Sequence, residues 1–131
     1  MIPVMQTKLH SKIQNGNCLT ASLASILEIP LSQIPEFEDM GKEWWHEMLR
    51  WLESIGFDLI QWREGVVLPG YYLVMGVSPR DPNINHQVVF YNGKMIHDPH
   101  PKGGGVIKIK EVLALLPLNP AGLIPQRKNR Y

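Results

Sequence analysis

The chain has 131 residues, an apolar share of 44% and a net charge of +1. That is one domain's worth of sequence, able to bury about two thirds of its unfolded surface with no metal or disulfide staple. The near-even charge excludes a strong field drawing the body of the chain to nucleic acid or anionic lipid, no apolar run approaches the roughly 20 residues that span a bilayer, and one cysteine cannot close an internal disulfide.

Met1 to Gln6 shows no charged stretch followed by an apolar core, so no secretion signal is expected. A lone free cysteine fits the reducing cytoplasm. Residues 1–16 read as irregular, with Pro3 early and Gln14-Asn15-Gly16 as a turn. A first helix is expected over about residues 18–28, with Asn17 as its N-cap. Leu19, Leu23, Ile26 and Leu27 form its apolar stripe, and Ala21, Ser22, Ala24 and Ser25 are small. Pro30 and Pro35 bracket no more than a short turn. A second helix fits about residues 42–55, with Trp45, Met48, Leu49, Leu52 and Ile55 inward and Gly56 as its stop. Trp44 and Trp51 widen that face and read as core and cleft wall.

From Phe57 the texture turns to strands. They are expected over residues 58–63, 71–77, 86–91 and 94–98, the last two joined at Asn92-Gly93. Val106 to Ile109 reads as a short strand, and Glu111 to Leu116 as a short helix ended by Pro117. Residues 1–117 thus form the expected domain, and 118–131 a loosely packed tail. Its basic end, Arg127 to Arg130, reads as solvated rather than as a nucleic-acid arm. Helices followed by a mostly antiparallel sheet define an α+β fold.

The chemistry centres on Cys18, which falls at the first helical position. There the free N–H groups and the helix dipole are expected to ease thiolate formation. A cysteine nucleophile needs a base, and the base needs a partner that fixes its tautomer. His86 opens a strand after a loop, and Asp98 ends the neighbouring strand. Two registers are open. A two-residue loop at Asn92-Gly93 sets His86 opposite Pro99 and turns Asp98 to the other face. A three-residue loop, Tyr91-Asn92-Gly93, sets His86 opposite Asp98 on one face, and this register is the expected one.

His97 alternates away from Asp98 and reads as structural, and His10 and His46 read as exposed. His97-Asp98-Pro99-His100 lacks the spacing of a zinc motif, so no metal or other cofactor is expected. Gly103-Gly104-Gly105 lacks the Lys-Ser/Thr of a phosphate-binding loop. An acyl-transfer site also needs donors for the developing oxyanion. The Cys18 N–H is one, and an upstream glutamine, Gln6 or Gln14, is the other.

A glutamine, a cysteine at a helix start, a histidine on a strand and an aspartate on the next make an order that resembles the papain-like cysteine peptidase superfamily. Within it the chain looks most like the peptidase domain that removes double-glycine leaders from bacteriocins. The matches are Cys18, His86-Gln87-Val88-Val89 and Asp98-Pro99. The N-terminal half is also similar to small bacterial and phage proteins, through Pro3, Gln6-Thr7, Gly16-Asn17-Cys18, Ala24-Ser25 and the turn from Pro30 to Pro35. The likeness spans about residues 3–110 and favours Gln6 over Gln14 as the oxyanion donor. It departs at Cys18-Leu19, where leader peptidases usually have Cys-Gly, and in the greater distance of Gln6 from the cysteine.

The resemblance implies a papain-like fold and a cysteine peptidase or amidase. Cys18 would be the nucleophile, His86 the base, Asp98 its orienter and Gln6 the oxyanion donor, acting on a peptide or amide. An acyltransferase on the same fold is one alternative. A non-catalytic module that binds a host protein is the other, with Trp44, Trp51, Tyr71 and Tyr72 as anchors.

Overall fold

Apolar residues recurring every three or four positions fold as helices, and those recurring every two positions fold as strands. A computed structural model describes residues 1–118, so all but the first residue of the expected tail lies outside the described residues. Helix α1 is Cys18–Leu27 and helix α2 is Trp44–Ser54. Short 3-10 turns at Leu31–Gln33, Phe37–Asp39 and Gly41–Glu43 connect them. Five strands follow: β1 Phe57–Arg63, β2 Tyr71–Val77, β3 Asn85–Tyr91, β4 Lys94–His97 and β5 Lys108–Pro117. They form one sheet in the order β1-β5-β2-β3-β4, and every neighbouring pair is antiparallel. The architecture is α+β. Among the described residues no helix is long and apolar enough to cross a membrane.

The short helix expected over residues 111–116 does not form. Lys108–Pro117 is one strand, paired with β1 on one side and β2 on the other. Val112 and Leu113 are both buried, on opposite faces of the sheet. A strand buried on both faces shows no polar alternation, so its period of two is hidden in the sequence.

The helices pack on the face that carries Leu73, Val89 and Leu113. Leu19 and Leu23 of α1, Met48 and Leu52 of α2, and Phe37 between them close this core. The other face carries Tyr72, Val74, Val88 and Val112, with Trp62 and Phe90 packed beside them.

The N-terminal segment is not loose. Val4 N–H donates to Ser25 Oγ at 2.9 Å, and His97 Nε2 donates to Val4 O at 2.7 Å. Gln6 N–H reaches Pro99 O at 2.9 Å, while Thr7 and Lys8 N–H groups both reach Asn17 Oδ1. Residues 4–8 therefore tie the start of α1 to the end of β4. His97 is buried in a structural role, and His10 and His46 are exposed.

The β3–β4 hairpin departs from both registers considered above. Asn92 and Gly93 both have positive φ, 51° and 89°, and Tyr91 pairs with Lys94, so the loop has two residues and not three. The register then shifts by one at Ile96, and Val89 pairs with His97. This β-bulge reverses the alternation beyond it. Asp98 returns to the face of Val88 and His86, which the uninterrupted two-residue register would have denied it.

Gly76 pairs with His86 on one side and Ile109 on the other, beside a second register shift. A Cβ here would run into the Lys108 carbonyl oxygen and come within 2.9 Å of Val106 Cβ. Gly76→Ala should therefore destabilise the fold by about 1–3 kcal/mol, read as a lower urea midpoint at unchanged slope.

Candidate active site

A cleft of about 620 Å³ opens where the start of α1 meets the start of β3 and the loops that follow β2 and β4. Gln6, Cys18, Glu38, His86, Gln87 and His100 are among its walls. Trp44 also lines it, which places one of the tryptophans at the cleft as expected.

His86 is the second residue of β3 and is 4% exposed. Its Nε2 lies 2.7 Å from Asp98 Oδ1. The same oxygen accepts the His100 N–H at 2.9 Å, and Oδ2 accepts the Gly105 N–H at 2.8 Å. Burial alone would raise the Asp98 carboxyl, but the bond from His86 and the two backbone N–H groups outweigh it and hold it below its ordinary value. An ionised carboxylate only accepts, so His86 Nε2 carries a proton, and in the neutral ring the lone pair is on Nδ1. That is the tautomer a general base needs. By the same linkage Asp98 adds stability that is complete at neutral pH and is lost as pH falls below 3.8.

Cys18 stands at the first position of α1, as its sequence context requires, but its cap is different. Asn17 makes no cap bond; its Oδ1 is taken by Thr7 and Lys8. The cap is Glu38, carried in from the Phe37–Asp39 turn. Its Oε2 accepts the N–H groups of Leu19 at 2.8 Å and Thr20 at 3.2 Å, and its Oε1 accepts the Thr20 hydroxyl at 2.6 Å. Burial pushes the Glu38 carboxyl up against the pull of these bonds.

The surroundings of the half-buried sulfur oppose the eased thiolate expected from its place on the helix. Burial, aided by the Glu38 charge, pushes the Cys18 thiol up to about 12. Hydrogen bonds from the N–H groups of Gln87, Leu19 and Cys18 itself act the other way and do not compensate. A carboxylate at the start of α1 opposes the field that a bare helix N-terminus would offer. Among the described residues no hydrogen bond joins Cys18 to His86, whose one bonded partner is Asp98.

Gln6 lines the cleft, and Gln14 does not. Gln6 Nε2 spends one hydrogen on Lys8 O at 2.8 Å, and its Oε1 is buried without a partner. The second amide hydrogen remains for another acceptor. Gln14 is exposed, with its Nε2 on Leu9 O. Among the described residues no group of three or more His, Cys, Asp or Glu side chains is placed to hold a metal ion.

The cleft thus gathers Cys18, His86 and Gln6 on its wall, with Asp98 behind His86. Two contributors were not read from sequence. Glu38 carries no local signal, since its target lies 18 and 19 residues away. His100 had one, its place directly after Asp98-Pro99. Comparison of the chain with protein-family models, curated proteins and solved structures finds no match.

With the thiol near 12, its ionised fraction grows about tenfold per pH unit through the neutral range. Alkylation of the single cysteine by iodoacetamide should rise steadily from pH 6 to pH 10 with no plateau. Glu38→Gln keeps the acceptor and removes the charge. It should speed alkylation several-fold at pH 8; an unchanged pH profile would show that Glu38 does not govern the thiol.

Proposed function

We propose that this chain is a thiol-dependent acyl-transfer enzyme with a papain-like arrangement, most simply a cysteine peptidase or amidase. The observation that carries the reading is the His86–Asp98 pair at 2.7 Å, set on one cleft with the only cysteine. A buried imidazole locked by an ionised carboxylate, with its lone pair free, is what a general base for a thiol requires.

The thiol is protonated at neutral pH, so proton transfer accompanies attack. His86 Nδ1 takes the Cys18 proton as sulfur bonds to the substrate carbonyl carbon. The carbonyl oxygen becomes the oxyanion and meets the Cys18 N–H and the second hydrogen of Gln6 Nε2. His86 returns the proton to the leaving nitrogen, which departs and leaves a thioester on Cys18. Water, activated by His86, then releases the acid and restores the thiol. An amine in place of water would make the same site an acyltransferase. A cytoplasmic setting suits a catalytic free thiol.

A second reading, a binding module without catalysis, is favoured by one observation: the raised thiol makes no hydrogen bond to His86. The two readings part in one assay. p-Nitrophenyl acetate should acetylate Cys18, seen by intact mass, and Cys18→Ala should take no label. A folded His86→Ala should acylate about a hundredfold more slowly, and Asp98→Asn should fall between. Equal rates for His86→Ala and the parent would favour the binding module. Product analysis with an added amine separates hydrolysis from transfer.

A further inference from the structure

His100 is 9% exposed and forms part of the cleft wall. Its Nδ1 accepts the Lys102 N–H at 3.0 Å, so the neutral ring carries its hydrogen on Nε2. Nε2 has no partner among the described residues. With Nδ1 spent on the loop and Nε2 not sealed from solvent, the Nε2 hydrogen is open to an acceptor at the cleft. The ring stands edge to face against His86, with centroids 6.1 Å apart at 82°. Its own N–H holds the Asp98 oxygen that His86 also holds.

Two cations share this part of the cleft, Arg80 from the loop after β2 and Lys102 from the loop after β4. Arg80 Nη1 is anchored on Gly103 O at 2.7 Å, and Arg80 forms no ion pair among the described residues. Asp81 and Asp98 are the acids beside them; Asp81 Oδ1 accepts the Asn83 N–H at 2.9 Å, and both Asp98 oxygens are hydrogen-bonded. Burial, then the charge of Arg80, lower the His100 ring below its ordinary value, which favours the neutral ring as donor.

We infer that His100, Arg80 and Lys102 form a subsite for a carboxylate on the His86 side of the cleft. One N–H and two cations line one region of the cleft, and the acids beside them, Asp81 and Asp98, are hydrogen-bonded. On the acyl-transfer reading above, which this step rests on, His86 must reach the departing atom, so the subsite flanks the leaving group. The substrate class is then a peptide or amide bearing a carboxylate just beyond the bond broken. That carboxylate is either a free C-terminus or an acidic side chain.

The test uses full-length Cys18→Ala protein, so that binding is read without turnover. The probes are N-acetyl-Ala-Ala-Ala with a free carboxylate, its C-terminal amide, and N-acetyl-Ala-Glu-Ala amide, titrated by nitrogen-15 NMR of the histidine rings and arginine side chains. One or both carboxylate peptides should bind at least tenfold more tightly than the neutral amide and should move the His100 and Arg80 signals. Which of the two binds identifies the source of the carboxylate. A folded Arg80→Gln, changed at an exposed side chain, should remove most of that preference, as should a folded His100→Ala. Equal binding of all three peptides, binding by none, or a preference that survives both substitutions overturns the subsite. Because acylation by p-nitrophenyl acetate involves no carboxylate recognition, failure of the enzymatic reading and failure of the subsite are separate results.

Discussion

The carboxylate of Asp98 is the constraint on which the site depends. Three donors hold its two oxygens: the His86 ring and the N–H groups of His100 and Gly105. Gly105 can turn its N–H back toward Asp98 because its φ is 63°, a conformation a side chain would oppose. The loop after β4 is thereby wrapped around one anion. The anion in turn sets which nitrogen of His86 carries a proton. Ring orientation, tautomer and loop shape follow from a single buried charge that is fully hydrogen-bonded.

The start of α1 shows a different compromise. An α-helix leaves its first N–H groups unpaired, and here Leu19 and Thr20 give theirs to Glu38 while Cys18 keeps its own. The cap stabilises the helix. The same negative charge, together with burial, opposes ionisation of the sulfur beside it. Helix stability and ease of thiol ionisation are set against each other by one residue.

Much of the fold was legible because its signals are local. The stripe of Leu19 and Leu23 and the inner face of Met48 and Leu52 marked both helices, and Asn92-Gly93 marked the hairpin. What was not legible is set by contacts distant in sequence. Strand β5 reads as a helix until β1 and β2 are placed on either side of it. Glu38 has no motif, and Asn17 has the composition of a cap but is drawn off by Thr7 and Lys8. The proximity of His86 and Asp98 was expected from a three-residue loop. It arises instead from a two-residue loop followed by a bulge at Ile96, an insertion that no residue in the strand announces. The thiol differs from its local signal for the same reason: position on a helix is local, whereas burial and a neighbouring charge are not.

The N-terminal segment joins what the order of synthesis keeps apart. Val4 bonds to His97 across 93 positions of chain, and Gln6 bonds to Pro99. Contacts of such long range form late, because the loop they close must first be drawn together. An emerging polypeptide therefore exposes its cysteine long before imidazole, carboxylate and glutamine can gather around it. In the unfolded chain that sulfur ionises as an ordinary thiol, and the burial and charge that suppress it arrive only when the last turns are in place.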